Sequence, residues 1–206
     1  MRYLRLAGID TMPSMAQEME AKFSVEDLAP FRSALDHAGA EFLGAAVETD
    51  AYYDTPDGAL LNGDRGLRVR TVRELEPGTG LDTAALLTFK GPMQPTGRLK
   101  VRSELQTRVD DAQALNAILE ALGVSICMRV QKRRRSYRLG ACCVELDELP
   151  LLGCFVEVEG PGERAITATC DELGLHGEPI MEPYVRLLAE HCREHGLDHR
   201  EVTFDD

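Results

Sequence analysis

The seven residues QEMEAKF, 17 to 23, constrain the chain most tightly, because charge and apolar character alternate without a break. Glu18, Glu20 and Lys22 fall at every second position, with Met19, Ala21 and Phe23 between them. A strand repeats every two residues, so this pattern puts three charges on one face and three apolar groups on the other. It recurs as Arg68 and Arg70 in GLRVR, as Lys100, Arg102 and Glu104 in LKVRSEL, as Lys132 and Arg134 in VQKRRRSY, and as Glu157 and Glu159 in CFVEVEG. Each i, i+2 pair shares a strand face, with its side chains about 6–7 Å apart along the strand.

Two architectures satisfy this alternation. One is an open sheet with its polar face in water and helices on its apolar side. The other turns the charged faces toward one another. Residue type favours the second, since solvated faces mix Thr, Ser, Gln and Lys, whereas here Arg-x-Arg accompanies Glu-x-Glu. One face would gather Glu18, Glu20, Glu157 and Glu159 with Lys22, Arg68, Arg70, Lys90, Arg102, Lys132 and Arg134. Clustered carboxylates without a soft ligand suit hard divalent cations such as Mg²⁺ or Mn²⁺. Arg forks and Lys ammonium groups suit phosphate oxygens. A phosphate chain carrying a metal ion satisfies both sets.

The remaining sequence predicts about eight strands, around 17–23, 41–53, 65–75, 83–91, 98–109, 127–139, 141–149 and 154–160. Helices are expected in SVEDLAPFRSALDHAG, with Ser24 as its cap, and in DDAQALNAILEALG, stopped at Gly123. ERAITATCDELG and EPYVRLLAEHCREHG are two more. This is an α+β pattern whose strand count permits a closed antiparallel barrel. At 206 residues the chain fits one domain with a sizeable core. Its net charge of −12 disfavours a duplex nucleic-acid partner. The run RVQKRRRSYR is therefore read as a strand with Lys132 and Arg134 inward and Arg133 and Arg135 outward, rather than as an RNA-binding stretch. No apolar run approaches the roughly 18–20 residues of a membrane span, so no membrane is expected. The first residues lack the apolar core of a signal peptide. The six cysteines form no C-x-x-C pair, which fits reduced thiols and a cytoplasmic chain. His191, Cys192, His195 and His199 are read as a frayed polar helix rather than a zinc site, and the tail EVTFDD as a disordered end.

Taken together, these motifs resemble the CYTH superfamily, the triphosphate tunnel metalloenzymes. Glu18, Glu20 and Lys22 match its Glu-x-Glu-x-Lys hallmark. TDAYYDTPDGALLNGDRGLRVR is similar to its second block, LTFKGP supplies Lys90, and GRLKVRSEL supplies Arg102 and Glu104. KRRRSY resembles its Lys-x-Arg-x-x-Tyr block, VELDELPLLGCFVEVEG the late block with Asp147, Glu157 and Glu159, and PYVRLL the closing helix. The resemblance implies a closed eight-stranded antiparallel barrel, helices packed outside, and a charged lumen. It also implies a CYTH domain over 15–195, flanked by an N-terminal extension at 1–14 and a polar tail at 196–206. Lys22, Arg68, Arg70, Lys90, Arg102, Lys132 and Arg134 would bind phosphates and stabilise the transferring group. Glu18, Glu20, Glu157 and Glu159, with Glu104 and Asp147, would hold Mg²⁺ or Mn²⁺. The expected activity is hydrolysis of a small triphosphate (inorganic, thiamine or nucleoside). A class IV adenylate cyclase and a non-catalytic polyphosphate binder are the alternatives. Bacterial cyclases of that class carry a His-Phe pair shortly before the hallmark, where this chain has MPSMA. The loop RELEPGTGLDTA is expected over one tunnel mouth, and a homodimer is compatible with the family.

Overall fold

The computed structural model describes residues 16–76, 84–94 and 99–204. The extension at 1–14 and most of the loop expected over the tunnel mouth lie outside the described residues. Eight antiparallel strands carry the fold: β1 (Ala16–Val25), β2 (Glu41–Asp54), β3 (Gly66–Glu74), β4 (Ala85–Gln94), β5 (Lys100–Val109), β6 (Ser125–Leu139), β7 (Cys142–Leu149) and β8 (Gly153–Glu159). Their order is β2-β3-β4-β5-β1-β8-β7-β6, and β6 pairs back onto β2, so the sheet closes into the expected barrel. Closure removes the exposed edges that an open sheet of this size would present. Its longest ladder is β2–β6, running from Glu41↔Arg138 to Asp54↔Ser125.

Local signals explain the connections. Leu139 pairs with Cys142, leaving a two-residue turn that opens on Gly140 at φ 57°. A tight hairpin needs that left-handed backbone, which glycine adopts without strain. Helix α1 (Ala29–His37) starts later than the sequence suggests. Ser24 belongs to β1, opposite Phe155; Leu28 takes the N-cap position, and Asp27 Oδ1, one residue ahead, accepts from the Ala29 amide. Pro30 in the first turn fixes the start, since its ring presets a helical φ. A four-residue helix, α2 (Ala59–Asn62), went unforeseen; Asp54 anchors it by accepting from the Leu60 and Leu61 amides. Helix α3 (Ala112–Ala121) is capped by Asp111, whose side chain accepts from the Gln113 and Ala114 amides.

The outward strand faces are apolar and lie under helices. Ala21, Phe23, Val144, Leu146, Val156 and Val158 form one cluster with Leu35 of α1 and with Ile166 and Cys170 of α4 (Glu163–Glu172). Ala51, Tyr53 and Val69 pack against Leu119 of α3. Cys142 sits in the outer cluster while Cys143 lines the interior cavity, so the adjacent thiols take opposite faces.

Helix α5 (Tyr184–His195) packs differently. Its Tyr184, Val185, Leu188 and Cys192 meet Met128, Val130, Leu149 and Phe155. Those four share the lumen-side parity of Lys132, Asp147 and Glu157 and stand at one end of the barrel. Thus α5 stoppers that end. It is a packed amphipathic helix rather than a frayed polar one, with Leu188 and Cys192 fully buried. The tail reading is corrected as well: β9 (Glu201–Val202) pairs in parallel with β6, Val202 is buried, and the Phe204 amide donates to Gln131. Among the described residues no helix is long and apolar enough to cross a membrane.

Candidate functional site

A cavity of about 130 Å³ runs inside the barrel, far more than the roughly 10–15 Å³ one water requires. Its walls include Glu18, Glu20, Lys22, Arg68, Arg70, Lys90, Arg102, Lys132, Arg134, Glu157 and Glu159. Register explains the convergence. Glu20 faces Glu159 and Lys22 faces Glu157 across β1–β8, while Glu18 faces Arg102 and Glu20 faces Lys100 across β1–β5. Glu104 and Asp147 are also buried and reach lumen cations. All thirteen residues singled out in the sequence therefore lie in or against one lumen.

A charge removed from water is costly unless paired, and this lumen pairs its charges internally. Arg70 forks onto Asp50 at 2.6 and 2.7 Å and reaches Glu48 at 2.7 Å. Arg68 reaches Asp50 at 3.1 Å, and Lys132 touches Glu48 at 3.2 Å and Asp147 at 3.5 Å. Arg134 donates to Asp147 and to Glu157, the latter at 2.6 Å, and also contacts Glu145. Lys90 binds Glu18 at 2.6 Å and lies 3.4 Å from Glu104, and Lys100 binds Glu20 at 2.7 Å. Lys22, only 1% exposed, lies 3.4 Å from Glu157 and donates to the Glu182 carbonyl of the turn before α5.

These contacts reset proton affinities. Burial alone would raise the Glu48 carboxyl, but Arg70, Lys132 and Arg134 hold it down at about 2. Burial likewise opposes ionisation of Asp50 and Glu157, yet the adjoining cations keep both well below the usual carboxylate range. Lys22 is lowered, chiefly by burial. Glu145 goes the other way, pushed up to about 8 by burial, with Arg134 opposing and Asp147 and Glu157 adding to the rise. Burial is the leading cause, and the neighbouring Asp147 and Glu157 carboxylates add to it, so Glu145 is the lumen carboxyl most inclined to hold a proton.

Sequence reasoning missed Glu48, Asp50, Glu145 and Tyr184 as lumen groups and noted Lys100 without assigning it. Glu48 and Asp50 carry the same i, i+2 signal, as do Glu145 and Asp147; no comparable signal marked Tyr184. Arg102 is more structurally engaged than a bare phosphate contact. It donates to the Asp64 carboxylate at 2.8 Å and to the Asp64 and Gly91 carbonyls, bracing the turn before β3 against β4. The basic run of β6 is divided as expected: Arg133 pairs with Glu148 and Arg135 with Glu76, on the face opposite Lys132 and Arg134.

Among the described residues no three His, Cys, Asp or Glu side chains stand at metal-holding spacing. Glu18, Glu20, Asp147 and Glu157 are each drawn onto a Lys or Arg instead. In kind, however, the donor set fits a hard cation: carboxylate oxygens from adjacent strands, with Glu20 directly opposite Glu159.

Comparison with known proteins agrees with this geometry. The CYTH domain model matches residues 16–168. An adenylate cyclase of Aeromonas hydrophila is 30% identical over 142 residues, covering 68% of this chain and 67% of that protein. A candidate adenylate cyclase of Methanocaldococcus jannaschii is 25% identical over 142 residues, 69% of this chain and 75% of its own. Among solved structures, a candidate adenylate cyclase of Vibrio parahaemolyticus superposes with TM-score 0.70 at 20% identity, covering 84% of this chain and 97% of its own. A Hippeastrum protein, a candidate adenylyl cyclase described as having a dominant triphosphatase activity, superposes with TM-score 0.62 at 14% identity over 84% of this chain and 95% of its own. At those identities the two structures show a fold shared with this chain.

Proposed function

Because the chain belongs to the CYTH domain family, we propose that its lumen binds a small triphosphate with Mg²⁺ or Mn²⁺ and hydrolyses it. The observation that carries this reading is the belt of buried and half-buried Arg and Lys around one cavity, interleaved with carboxylates on the same strand faces. Arg68, Arg70, Lys90, Lys132 and Arg134 take phosphoryl oxygens and stabilise the charge of the transferring group, exchanging carboxylate partners for phosphate ones. Arg102 contributes from its brace on Asp64, and Lys22 from the α5 end. Glu18, Glu20, Glu157 and Glu159, with Glu104 and Asp147, are the ligands proposed for the metal. A divalent ion bound there supplies phosphate neutralisation and an activated water. Burial makes each contact stronger than in bulk solvent, because the surrounding dielectric is low.

The names of the two sequence relatives favour a second reading, conversion of ATP to cyclic AMP and pyrophosphate in the same lumen. Product analysis separates them. With Mg²⁺ or Mn²⁺, hydrolysis predicts free phosphate from inorganic triphosphate or a nucleoside triphosphate and no cyclic AMP. Cyclic AMP with stoichiometric pyrophosphate from ATP would overturn the hydrolase reading, and tight binding without turnover would leave a polyphosphate binder.

A further inference from the structure

The first turn of α5 enters the cavity, where Pro183, Tyr184, Val185 and Arg186 join its lining. Tyr184 is 8% exposed, and its ring packs edge-on against Phe155 with centroids 5.0 Å apart. The ammonium group of Lys22 sits 3.9 Å from the ring centroid and that of Lys132 5.4 Å away. Among the described residues, the buried Tyr184 hydroxyl has no hydrogen-bond partner. Buried phenols nearly always find one, because desolvating an O–H without replacing its bond is costly. The charges that act on this phenol, Glu157, Asp147, Arg134 and Glu20, are all lumen groups, and burial keeps it in the protonated, donating form.

What the hydroxyl lacks is an acceptor oxygen. The carboxylates around it are engaged elsewhere: Glu157 with Lys22 and Arg134, Asp147 with Arg134 and Lys132, and Glu20 with Lys100. An oxygen delivered through the cavity between Lys22 and Lys132 would complete the set. The positive end of a twelve-residue helix reinforces that preference for an anion.

We propose that Tyr184 is a substrate contact, its hydroxyl donating to a non-bridging oxygen of the phosphate nearest α5, so that the stopper helix forms the floor of the polyphosphate site. This rests on the triphosphate reading above and adds to it a recognition group outside the barrel strands. The test is Tyr184→Phe, which keeps the ring packing and removes only the donor. Thermal unfolding without ligand and calorimetric titration with inorganic triphosphate in Mg²⁺ are measured for both proteins. The unliganded variant is expected to unfold no earlier than wild type, since no bond is lost, while its triphosphate affinity falls roughly 10- to 100-fold, the scale of a hydrogen bond to a charged group. Equal affinity in the two proteins would overturn the contact and leave the triphosphate reading intact. A variant destabilised without ligand, with unchanged ligand-induced stabilisation, would assign the hydroxyl a structural partner and also overturn it. Failure of the wild type to bind triphosphate would remove the functional reading, and this contact with it.

Discussion

Glu145 is buried against Arg134 beside the Asp147 and Glu157 carboxylates, and burial first, then those two acids, gives it a testable proton. Its folded pKa of about 8 lies above the ordinary 4.5. Between those values the native state holds a proton that the unfolded chain releases, so this group's contribution to stability falls as pH rises through that window. Glu48, held at about 2, works in the opposite sense: its contribution is present above pH 4.5 and is lost as pH drops toward 2. In metal-free protein, Glu145→Gln is therefore expected to flatten the decline in urea midpoint between pH 5 and 8 while leaving the acid flank unchanged. An unaltered slope in that window would refute the assignment. The alternation that exposed Glu18, Glu20, Arg68 and Arg70 in the sequence is equally present at Glu48 and Asp50. Those two escaped because a Glu-x-Asp beside two tyrosines reads as a packing strand until the β2–β3 register sets Asp50 against Arg70. Tyr184 escaped for a different reason. A tyrosine in an amphipathic helix reads as core, and only the missing partner of its hydroxyl sets it apart.

Strands were more legible than helices because period-two patterning persists over whole strands, and every predicted strand has a counterpart within a few residues. Short elements were not legible. α2 is four residues held by Asp54 from a preceding strand, and β9 is two residues whose pairing depends on the distant β6. The placement of α5 was hidden as well, since an apolar stripe does not say whether it covers the outside of a barrel or its end. That placement is checked by Leu188→Ala, at a fully buried position of the stopper. The expected loss is about 2–5 kcal/mol by urea denaturation, the range for truncating a packed leucine. Ile118→Ala on α3, where the side chain is 56% exposed, is expected to stay within about 0.5 kcal/mol. Equal small effects would mean that α5 is not seated in the barrel end.

At the scale of the whole molecule, the barrel is inverted. Apolar side chains face outward under α1, α3 and α4, and the charged faces look at one another across a cavity. An acidic chain with net charge −12 can hold a polyanion only if its cations are segregated from its surface acids, and the closed sheet achieves that. The measurement that bears most directly on this is calorimetric titration of inorganic triphosphate, in Mg²⁺, into the wild type, Arg68→Ala and Glu18→Ala. Both substitutions leave a paired neighbourhood behind, because Asp50 keeps Arg70 and Lys90 keeps Glu104. Loss of binding would then report the site rather than collapse of the fold. A lumen that holds triphosphate predicts saturable one-to-one binding by the wild type, weakened at least about tenfold in each variant. Identical binding by all three proteins, or none by the wild type, would contradict it.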